Sequence, residues 1–280
     1  MGRDVSPVSV MDPVDQTTAR ELGESLPDGP LTFDSRCLLL RGHATAWLAG
    51  SIPSVRAAIV CDPSQRREPR AFGTDPLEIW RLLRGIPGWA CVNCPTELAG
   101  PLAEVLGRAL ALPTRLVADV YLVLAGPPAR YEHPWVRRLS EDDVDLFDGV
   151  AEPLRPTGYS STLAALSGGI VAGAVSERRL LGTVSMTSSS ETYANLAAHT
   201  LEPWRGRGIG TAAAFLVAGE AQFRGLDPVW SAGEDNLGSL RVARKLGFRE
   251  IGRRAYVVVP ELQRIGGYPP SPGTETEEEG

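Results

Sequence analysis

The sequence has few cysteines, a single lysine and no long apolar run. Four cysteines in 280 residues are too few for the disulfide framework of a secreted protein. No apolar run approaches the roughly 18 to 20 residues of a membrane span, since the stretch 116–124 is interrupted by Asp119. The first residues are charged and polar and do not resemble a secretion signal. We therefore expect a cytoplasmic protein without a membrane span.

The chain also has little net charge outside its C-terminal end. The formal net charge is -6, and Glu275, Glu277, Glu278 and Glu279 supply four of these negative charges. The rest of the chain is close to neutral and lacks the basic stripe that nucleic-acid binding needs. We expect no nucleic-acid partner.

Two of the cysteines form a CxxC pair, Cys91 and Cys94, at the end of a predicted strand. Such a pair is compatible with a redox site or with half of a zinc site. A zinc site needs two further ligands, and Cys37 and Cys61 are isolated in the sequence. We therefore interpret the four cysteines as buried structural thiols and expect no metal.

The chain is predicted to divide near residue 130, because Pro127 and Pro128 interrupt both helices and strand ladders. Composition and periodicity then predict a flexible arm over residues 1–30, a smaller α/β domain of unknown role over 31–130, a second domain over 133–265 and a disordered acidic tail over 266–280. In the smaller domain, Leu38–Leu40 is predicted as a strand. Asp75 and Pro76 predict the start of a helix.

The second domain shows the element order β, α, α, β, β, β, α, β, α, β. Three successive strands are predicted over residues 170–176, 180–186 and 195–201, followed by a helix over 208–224, a strand over 229–232, a helix over 237–246 and a strand over 248–259. A mixed sheet with helices on its faces is the natural result.

A glycine-rich turn lies between the third of these strands and its helix. It reads Arg205, Gly206, Arg207, Gly208, Ile209, Gly210 and continues into the apolar helix from Thr211. The first N–H groups of a helix have no partner within it and carry the positive end of its dipole, so they bind phosphate. Arg205 and Arg207 can add charge-assisted bonds. An ordinary strand-to-helix connection with solvated arginines is the alternative.

Three nucleotide-binding patterns can be compared with this turn. A Walker A loop is excluded, because the final Lys followed by Ser or Thr is absent. Gly208, Gly210 and Ala213 satisfy the loose GxGxxA pattern of dinucleotide-binding folds. That pattern normally opens a parallel βαβ domain with an acidic residue after the next strand, whereas here three meander strands precede it and the next strand ends at Ser231 and Ala232. The third possibility, a turn that binds the pyrophosphate of coenzyme A, fits this order of strands and helices better.

The turn and a second motif together resemble the GCN5-related N-acetyltransferases (GNATs). Arg205–Gly210 matches the R/QxxGxG/A signature of that family, and Asn236–Phe248 matches its second motif, which ends in Lys245, Leu246, Gly247 and Phe248. The resemblance covers about residues 133–262. It implies a mixed, splayed central sheet flanked by helices and acetyl-CoA as the acyl donor. The spacing of Pro228 and Trp230 further resembles a bacterial subgroup of two-domain members.

The resemblance implies that two strands splay apart to admit the pantetheine arm of the donor. Exposed backbone groups of Thr200 and Leu201 would then pair with its amides. Asn236 would bond the pantetheine or pyrophosphate, or serve only as a helix N-cap, or both. The donor-binding residues implied in this way are Thr200, Leu201, Arg205, Gly206, Arg207, Gly208, Ile209, Gly210, Thr211, Asn236 and Ser239. Residues 202–264 carry ten basic and seven acidic side chains, an excess that suits an anionic donor.

The sequence departs from the family at Ala243, where many members carry a tyrosine that protonates the departing thiolate. Ser239, Tyr193, Tyr256 or water would have to serve instead. Alternatively, the thiolate leaves unassisted, since its pKa of roughly 8 to 9 makes it a fair leaving group. An attacking amine must lose a proton to a base. His199, Glu202 and Glu191 are the candidate bases.

These observations predict an N-acetyltransferase that moves an acetyl group from acetyl-CoA to a primary amine of a small molecule or peptide. No residue is marked as a covalent nucleophile, so direct attack in a ternary complex is expected. The alternative is a non-catalytic acyl-CoA-binding sensor or regulatory module, in which Ala243 reflects lost catalysis.

Overall fold

The computed structural model describes residues 11–269, and the chain divides into two compact units. Among these residues, unit 1 combines 11–26, Leu38–Ala118 and 254–269, and unit 2 combines Pro27–Cys37 with Asp119–Arg253. The predicted division into consecutive domains near residue 130 differs from this arrangement. The units are discontinuous in sequence, because one helix (Phe33–Leu40) and two strands (Arg115–Val123 and Arg249–Val258) each begin in one unit and end in the other.

The described residues contain eleven strands and eight α-helices. The strands are β1 (Thr45–Gly50), β2 (Val55–Cys61), β3 (Arg70–Gly73), β4 (Cys91–Pro95), β5 (Arg115–Val123), β6 (Val136–Arg138), β7 (Val171–Ser176), β8 (Arg179–Ser189), β9 (Tyr193–Thr200), β10 (Asp227–Gly233) and β11 (Arg249–Val258). The helices are α1 (Gln16–Ser25), α2 (Phe33–Leu40), α3 (Pro76–Leu83), α4 (Thr96–Leu110), α5 (Thr162–Gly168), α6 (Ile209–Phe223), α7 (Leu237–Leu246) and α8 (Pro260–Ile265). Short 3₁₀ segments cover Pro63–Gln65, Glu141–Phe147, Glu152–Leu154 and Glu202–Trp204.

The predicted flexible arm contains helix α1. The Asp15 side chain accepts a hydrogen bond from the Thr18 backbone at 2.8 Å and so caps the helix. Ala19, Leu22 and Leu26 then pack in one cluster with β-sheet residues of unit 1, which holds the segment in place. Residues 1–10 of the predicted arm lie outside the described residues.

Two further expectations for unit 1 are corrected by the structure. Leu38–Leu40 is the end of α2 and not a strand, since three consecutive apolar residues carry no usable periodicity. The predicted disordered tail begins too early at residue 266, because the Tyr268 ring stacks on Trp89 with centroids 5.2 Å apart. The rest of that predicted tail, from residue 270, lies outside the described residues.

The sheet of unit 1 has the order β1-β2-β3-β4-β11. Its first three strands are antiparallel, β3 and β4 are parallel, and the end of β11, Arg254–Val258, is antiparallel to β4. Helices α3 and α4 cover one face, with Trp89 fully buried in the core. The predicted start of α3 is confirmed, since the Asp75 carboxylate accepts bonds from the N–H groups of Leu77 and Glu78.

The sheet of unit 2 has the order β5-β10-β9-β8-β7-β6. Strands β6 to β9 form an antiparallel meander, β9 and β10 are parallel, and the end of β5 is antiparallel to β10. The β9–β10 pairing joins Tyr193–Asn195 to Asp227–Val229 only, although both strands continue. The predicted mixed and splayed sheet is thereby confirmed, and the splay lies beside the start of α6.

The two units repeat one order of elements. In unit 1 the strands and helices run β3, α3, β4, α4, and in unit 2 they run β9, α6, β10, α7. In each unit an antiparallel strand then completes the sheet beside the second parallel strand, Arg254–Val258 in unit 1 and Asp119–Val123 in unit 2. Within residues 11–269, no helix has both the length and the apolar character needed to cross a membrane.

Candidate active site

A cavity of about 840 Å³ opens in unit 2 between the end of β9, the start of α6 and helix α7. Most of the predicted donor-binding residues border it. The predicted residues that line the cavity are His199, Thr200, Arg205, Gly206, Arg207, Gly208, Ile209, Gly210, Thr211, Asn236 and Ser239. Leu201 and Glu202, which were also predicted, are absent from the lining.

The N-terminus of α6 faces this cavity without a side-chain cap. Gly208 is the N-cap residue, with a φ of 86°, and no side chain in residues 11–269 bonds to the first N–H groups of the helix. The positive φ favours glycine, and a Cβ on residue 208 would also lie 3.3 Å from Cε1 of Tyr131, so that the ring would have to shift. The turn therefore leaves helix N–H groups available to an anion.

The two arginines of the turn are held by neighbouring groups. Arg205 donates from Nε to the Thr200 carbonyl at 3.0 Å. The Arg207 guanidinium lies 4.7 Å from the centre of the Trp204 ring. Each contact uses only part of a guanidinium with five N–H donors, so both arginines can also bind an anion at the turn.

The open edge of β9 offers backbone groups to a ligand. The Leu201 N–H donates to the Leu181 carbonyl of β8 at 2.9 Å, and the Leu201 carbonyl accepts from Trp204. Leu201 is thus committed within the protein, which corrects its predicted role. Backbone direction alternates along an antiparallel ladder, so Ala198 and Thr200 point to the side on which β10 has splayed away. The Ala198 backbone replaces Leu201 as a candidate partner of an extended ligand.

His199 is the one predicted base that lines the cavity within the described part of the chain. Its side chain is half-buried. Burial, and secondly the positive charge of Arg205, hold the pKa of His199 below its ordinary value of 6.5. Its imidazole is therefore neutral at pH 7 and able to accept a proton.

The other two predicted bases are placed elsewhere. Glu202 begins the exposed 3₁₀ segment after β9 and does not reach the lining of the cavity. Glu191 is exposed in the turn between β8 and β9, eight residues before His199. At about 3.3 Å per strand residue, roughly 26 Å separates it from the cavity end of β9. Neither residue lines the cavity, so His199 is the candidate base that the cavity supports.

Asn236 and Ser239 begin helix α7 at the cavity. The Asn236 side-chain oxygen accepts a bond from the Ser239 N–H at 3.1 Å, so Asn236 is an N-cap that also lines the cavity. The Trp230 indole N–H donates to the Ser239 hydroxyl oxygen at 2.9 Å. Because this oxygen accepts from Trp230, the hydroxyl hydrogen is available to a different acceptor.

The predicted tyrosine donors do not border the cavity. Ala243 is fully buried in the core of unit 2. Tyr193 packs against Phe33 with ring centroids 5.6 Å apart, and Tyr256 packs beside Cys91 in unit 1. Of the three side chains considered for proton donation, only Ser239 lines the cavity in the described structure.

Several cavity residues were not predicted from the sequence. They are Tyr131, Ala198, Trp204, Trp230, Asp235, Leu237, Gly238, Arg241, Val242 and Lys245. The spacing of Arg241 and Lys245, four residues apart on α7, could have revealed that they share a helix face. Nothing in the sequence marks Tyr131, which precedes the first strand of the meander.

The CxxC cysteines are buried in unit 1. Burial raises the pKa of Cys94 to about 11, so it remains a neutral thiol, unlike a redox or metal-binding thiolate. Within residues 11–269, no group of three or more His, Cys, Asp or Glu side chains is arranged to hold a metal ion.

Comparison with known proteins identifies the family of the region that carries this cavity. Residues 132–248 match the family model of the Acetyltransferase (GNAT) family. This region therefore matches a GNAT domain. The match supports an acyl-transfer function. The matched range contains almost the whole lining of the cavity, since Tyr131 precedes it by one residue.

Solved structures extend the GNAT likeness over most of the chain. A GCN5-related N-acetyltransferase-like protein from Streptococcus suis 89/1591 is 17% identical, with a TM-score of 0.64 over 86% of this chain and 98% of that chain. A GCN5-related N-acetyltransferase from Kribbella flavida is 15% identical, with a TM-score of 0.54 over 86% and 95%. A tandem GNAT protein from the clavulanic acid biosynthesis pathway is 16% identical, with a TM-score of 0.50 over 88% and 96%. A comparison with curated proteins gave no match. At these identities the likeness shows the fold.

Proposed function

We propose that the chain is an N-acetyltransferase that transfers the acetyl group of acetyl-CoA to a primary amine of a small molecule or peptide by direct attack in a ternary complex. One observation carries this proposal. The N-terminus of α6 is uncapped within the described structure and opens into a cavity beside splayed strands. This combination suits a long ligand with a pyrophosphate at its centre and an extended amide chain at one end.

The residues present fit such a donor. The N–H groups at the start of α6 bind its pyrophosphate, and Arg205 and Arg207 add charge-assisted bonds. The backbone of Ala198 and the N–H of Thr200 lie at the open edge of β9 and pair with the pantetheine amides in place of β10. The donor is thereby held along the open edge of β9.

The transfer itself requires a proton acceptor and a group that stabilises the departing sulfur. His199 is neutral at pH 7 and takes the proton that the amine loses as its nitrogen attacks the thioester carbon. The carbon–sulfur bond then breaks and the sulfur leaves as a thiolate. Ser239 donates a hydrogen bond to this thiolate and stabilises its charge, while its own oxygen accepts from Trp230.

Replacing Ser239 by alanine is expected to lower kcat by about tenfold to a hundredfold, because one hydrogen-bond donor to a developing negative charge is lost. The dissociation constant of CoA should stay within about twofold, since Ser239 acts on the leaving sulfur. Free-thiol release measures kcat, and calorimetric titration measures CoA binding. Ser231→Ala is the matched control, because Ser231 is exposed on β10 and lies outside the lining. An unchanged kcat in Ser239→Ala would exclude the role of this hydroxyl.

Unit 1 repeats the fold of unit 2 but does not offer the same anion site, and we propose that it is a GNAT-like half without donor binding. Helix α3 occupies the position that α6 has in unit 2. The Asp75 carboxylate accepts from the N–H groups of Leu77 and Glu78, at 3.0 and 3.1 Å. A phosphate there would have to displace this carboxylate. The name of the tandem GNAT protein fits a two-half arrangement.

An amine panel with acetyl-CoA tests the proposed activity. The panel spans small primary amines and short peptides with free amino groups, and free thiol is measured with and without each amine. We expect thiol release that depends on at least one amine and an acetylated product of matching mass. Binding of acetyl-CoA without turnover on any amine would instead favour a non-catalytic acyl-CoA sensor. Failure to bind CoA would contradict both functions.

A further inference from the structure

The basic side chains of the cavity form two separate groups. Arg205 and Arg207 belong to the glycine turn, whereas Arg241 and Lys245 lie on α7. Asp235 is the one acidic residue in the lining of this described cavity. Arg241 and Lys245 form no ion pair with any residue in the range 11–269. The second group is therefore a pair of positive charges that no acidic side chain among residues 11–269 pairs with.

The second group lies next to the phosphate-binding turn, with Tyr131 between them. The Lys245 ammonium is 5.7 Å from the centre of the Tyr131 ring. The same ring lies 3.3 Å from the position that a Cβ of residue 208 would take. The segment before Tyr131 is fixed to the end of α7, because the Ala129 N–H donates to the Leu246 carbonyl at 3.0 Å. The Tyr131 ring thus lies between Lys245 and the start of α6.

A helix dipole alone does not explain this pair of charges. Basic residues in the last turn of a helix interact with its negative end, and Arg244 and Lys245 occupy that turn. Arg241 lies one turn earlier and shares the cavity face with Lys245. Arg244, by contrast, is absent from the lining and influences Glu250. The helix dipole favours the pair Arg244 and Lys245 in the last turn. The pair that faces the cavity is instead Arg241 and Lys245.

We propose that Arg241 and Lys245 bind the 3′-phosphate of CoA, so that the cavity selects CoA over dephospho-CoA. This inference rests on the proposed function, in which the cavity holds the donor. The pyrophosphate of CoA is matched by the α6 N-terminus with Arg205 and Arg207. The ribose 3′-phosphate is a separate monoester with a charge of about -1.5 to -2 at neutral pH. Arg241 and Lys245, which lie beside the glycine turn, supply two positive charges for this second anion.

Calorimetric titrations with CoA and dephospho-CoA test the assignment, because the two ligands differ only in the 3′-phosphate. The wild-type chain should bind CoA at least about tenfold more tightly, as charge-assisted bonds to an exposed phosphate predict. Lys245→Met and Arg241→Met should each weaken CoA binding about three- to tenfold and leave the dissociation constant of dephospho-CoA within about twofold. Arg244→Met is the matched control and should bind both ligands like the wild type.

The outcomes separate this assignment from the proposed function. Equal affinity of the wild type for the two ligands would overturn the 3′-phosphate site while leaving donor binding in place. So would an equal loss of affinity for both ligands in Lys245→Met. A wild-type chain that binds neither ligand would overturn the proposed function and this assignment together. Arg241, Arg244 and Lys245 are exposed, so thermal unfolding should remain close to that of the wild type and confirm that each variant folds.

Discussion

Gly208→Glu is expected to abolish CoA binding, with a loss of at least about a hundredfold in the dissociation constant, or about 2.7 kcal/mol. Three causes act together. The residue has a φ of 86°, which glycine adopts most readily. Its side chain would meet the Tyr131 ring. Its carboxylate would also lie at the helix N-terminus, where it repels a pyrophosphate and competes for the N–H groups, as Asp75 does on α3. Calorimetric titration with CoA measures the loss.

Gly219→Glu provides the control for this experiment. Gly219 lies in the same helix, and a Cβ there would approach only Pro128, at an ordinary 3.9 Å. It adds the same charge without touching the turn, so CoA affinity should stay within about threefold of the wild type. The wild type should bind one CoA per chain, because Asp75 occupies the corresponding helix N-terminus in unit 1. Near-normal affinity in Gly208→Glu would show that the turn is not the donor site. Residual binding at a second site would show that unit 1 also takes CoA.

Local sequence signals predicted the parts of the site that depend on neighbouring residues. The Asp75–Pro76 start of α3 and the Asn236 start of α7 were predicted because caps act over three or four residues. The glycine turn was predicted for the same reason. Its residues, their backbone conformations and the first N–H groups of α6 all lie within one stretch of chain.

Features that depend on distant pairing were not predictable in this way. The open edge of β9 is set by its register with β8, which commits Leu201 and leaves Ala198 exposed to the splay. Tyr131 reaches the turn only because its segment is bonded to the end of α7. The two units are likewise discontinuous because strands far apart in sequence complete each sheet. A single sequence carries no direct signal for such pairings.

Replacing His199 by glutamine is expected to lower kcat by about a hundredfold to a thousandfold, since a general base contributes that order of rate. Burial and the charge of Arg205 lower the pKa of His199 below 6.5, so the neutral, proton-accepting form persists to more acidic pH. In the wild type, kcat should therefore fall only as the pH drops through this lowered pKa. Glutamine does not titrate, so the variant should lose this acidic limb. The pH profile of kcat at saturating amine measures both effects.

Arg205→Met gives an independent measure of the same ionisation. Removing its positive charge relieves repulsion of the protonated imidazole, so the pKa of His199 should rise and the acidic limb of kcat should move to higher pH. The affinity for CoA should fall as well, because Arg205 also belongs to the turn. His43→Gln is the matched control, since His43 is exposed in unit 1 and should leave rate and pH profile unchanged. A full rate with an unaltered acidic limb in His199→Gln would assign proton acceptance to water. Two results together would identify the imidazole as the base: His199→Gln loses the acidic limb of the kcat profile, and Arg205→Met shifts that limb to higher pH. A purely structural role of His199 predicts neither result.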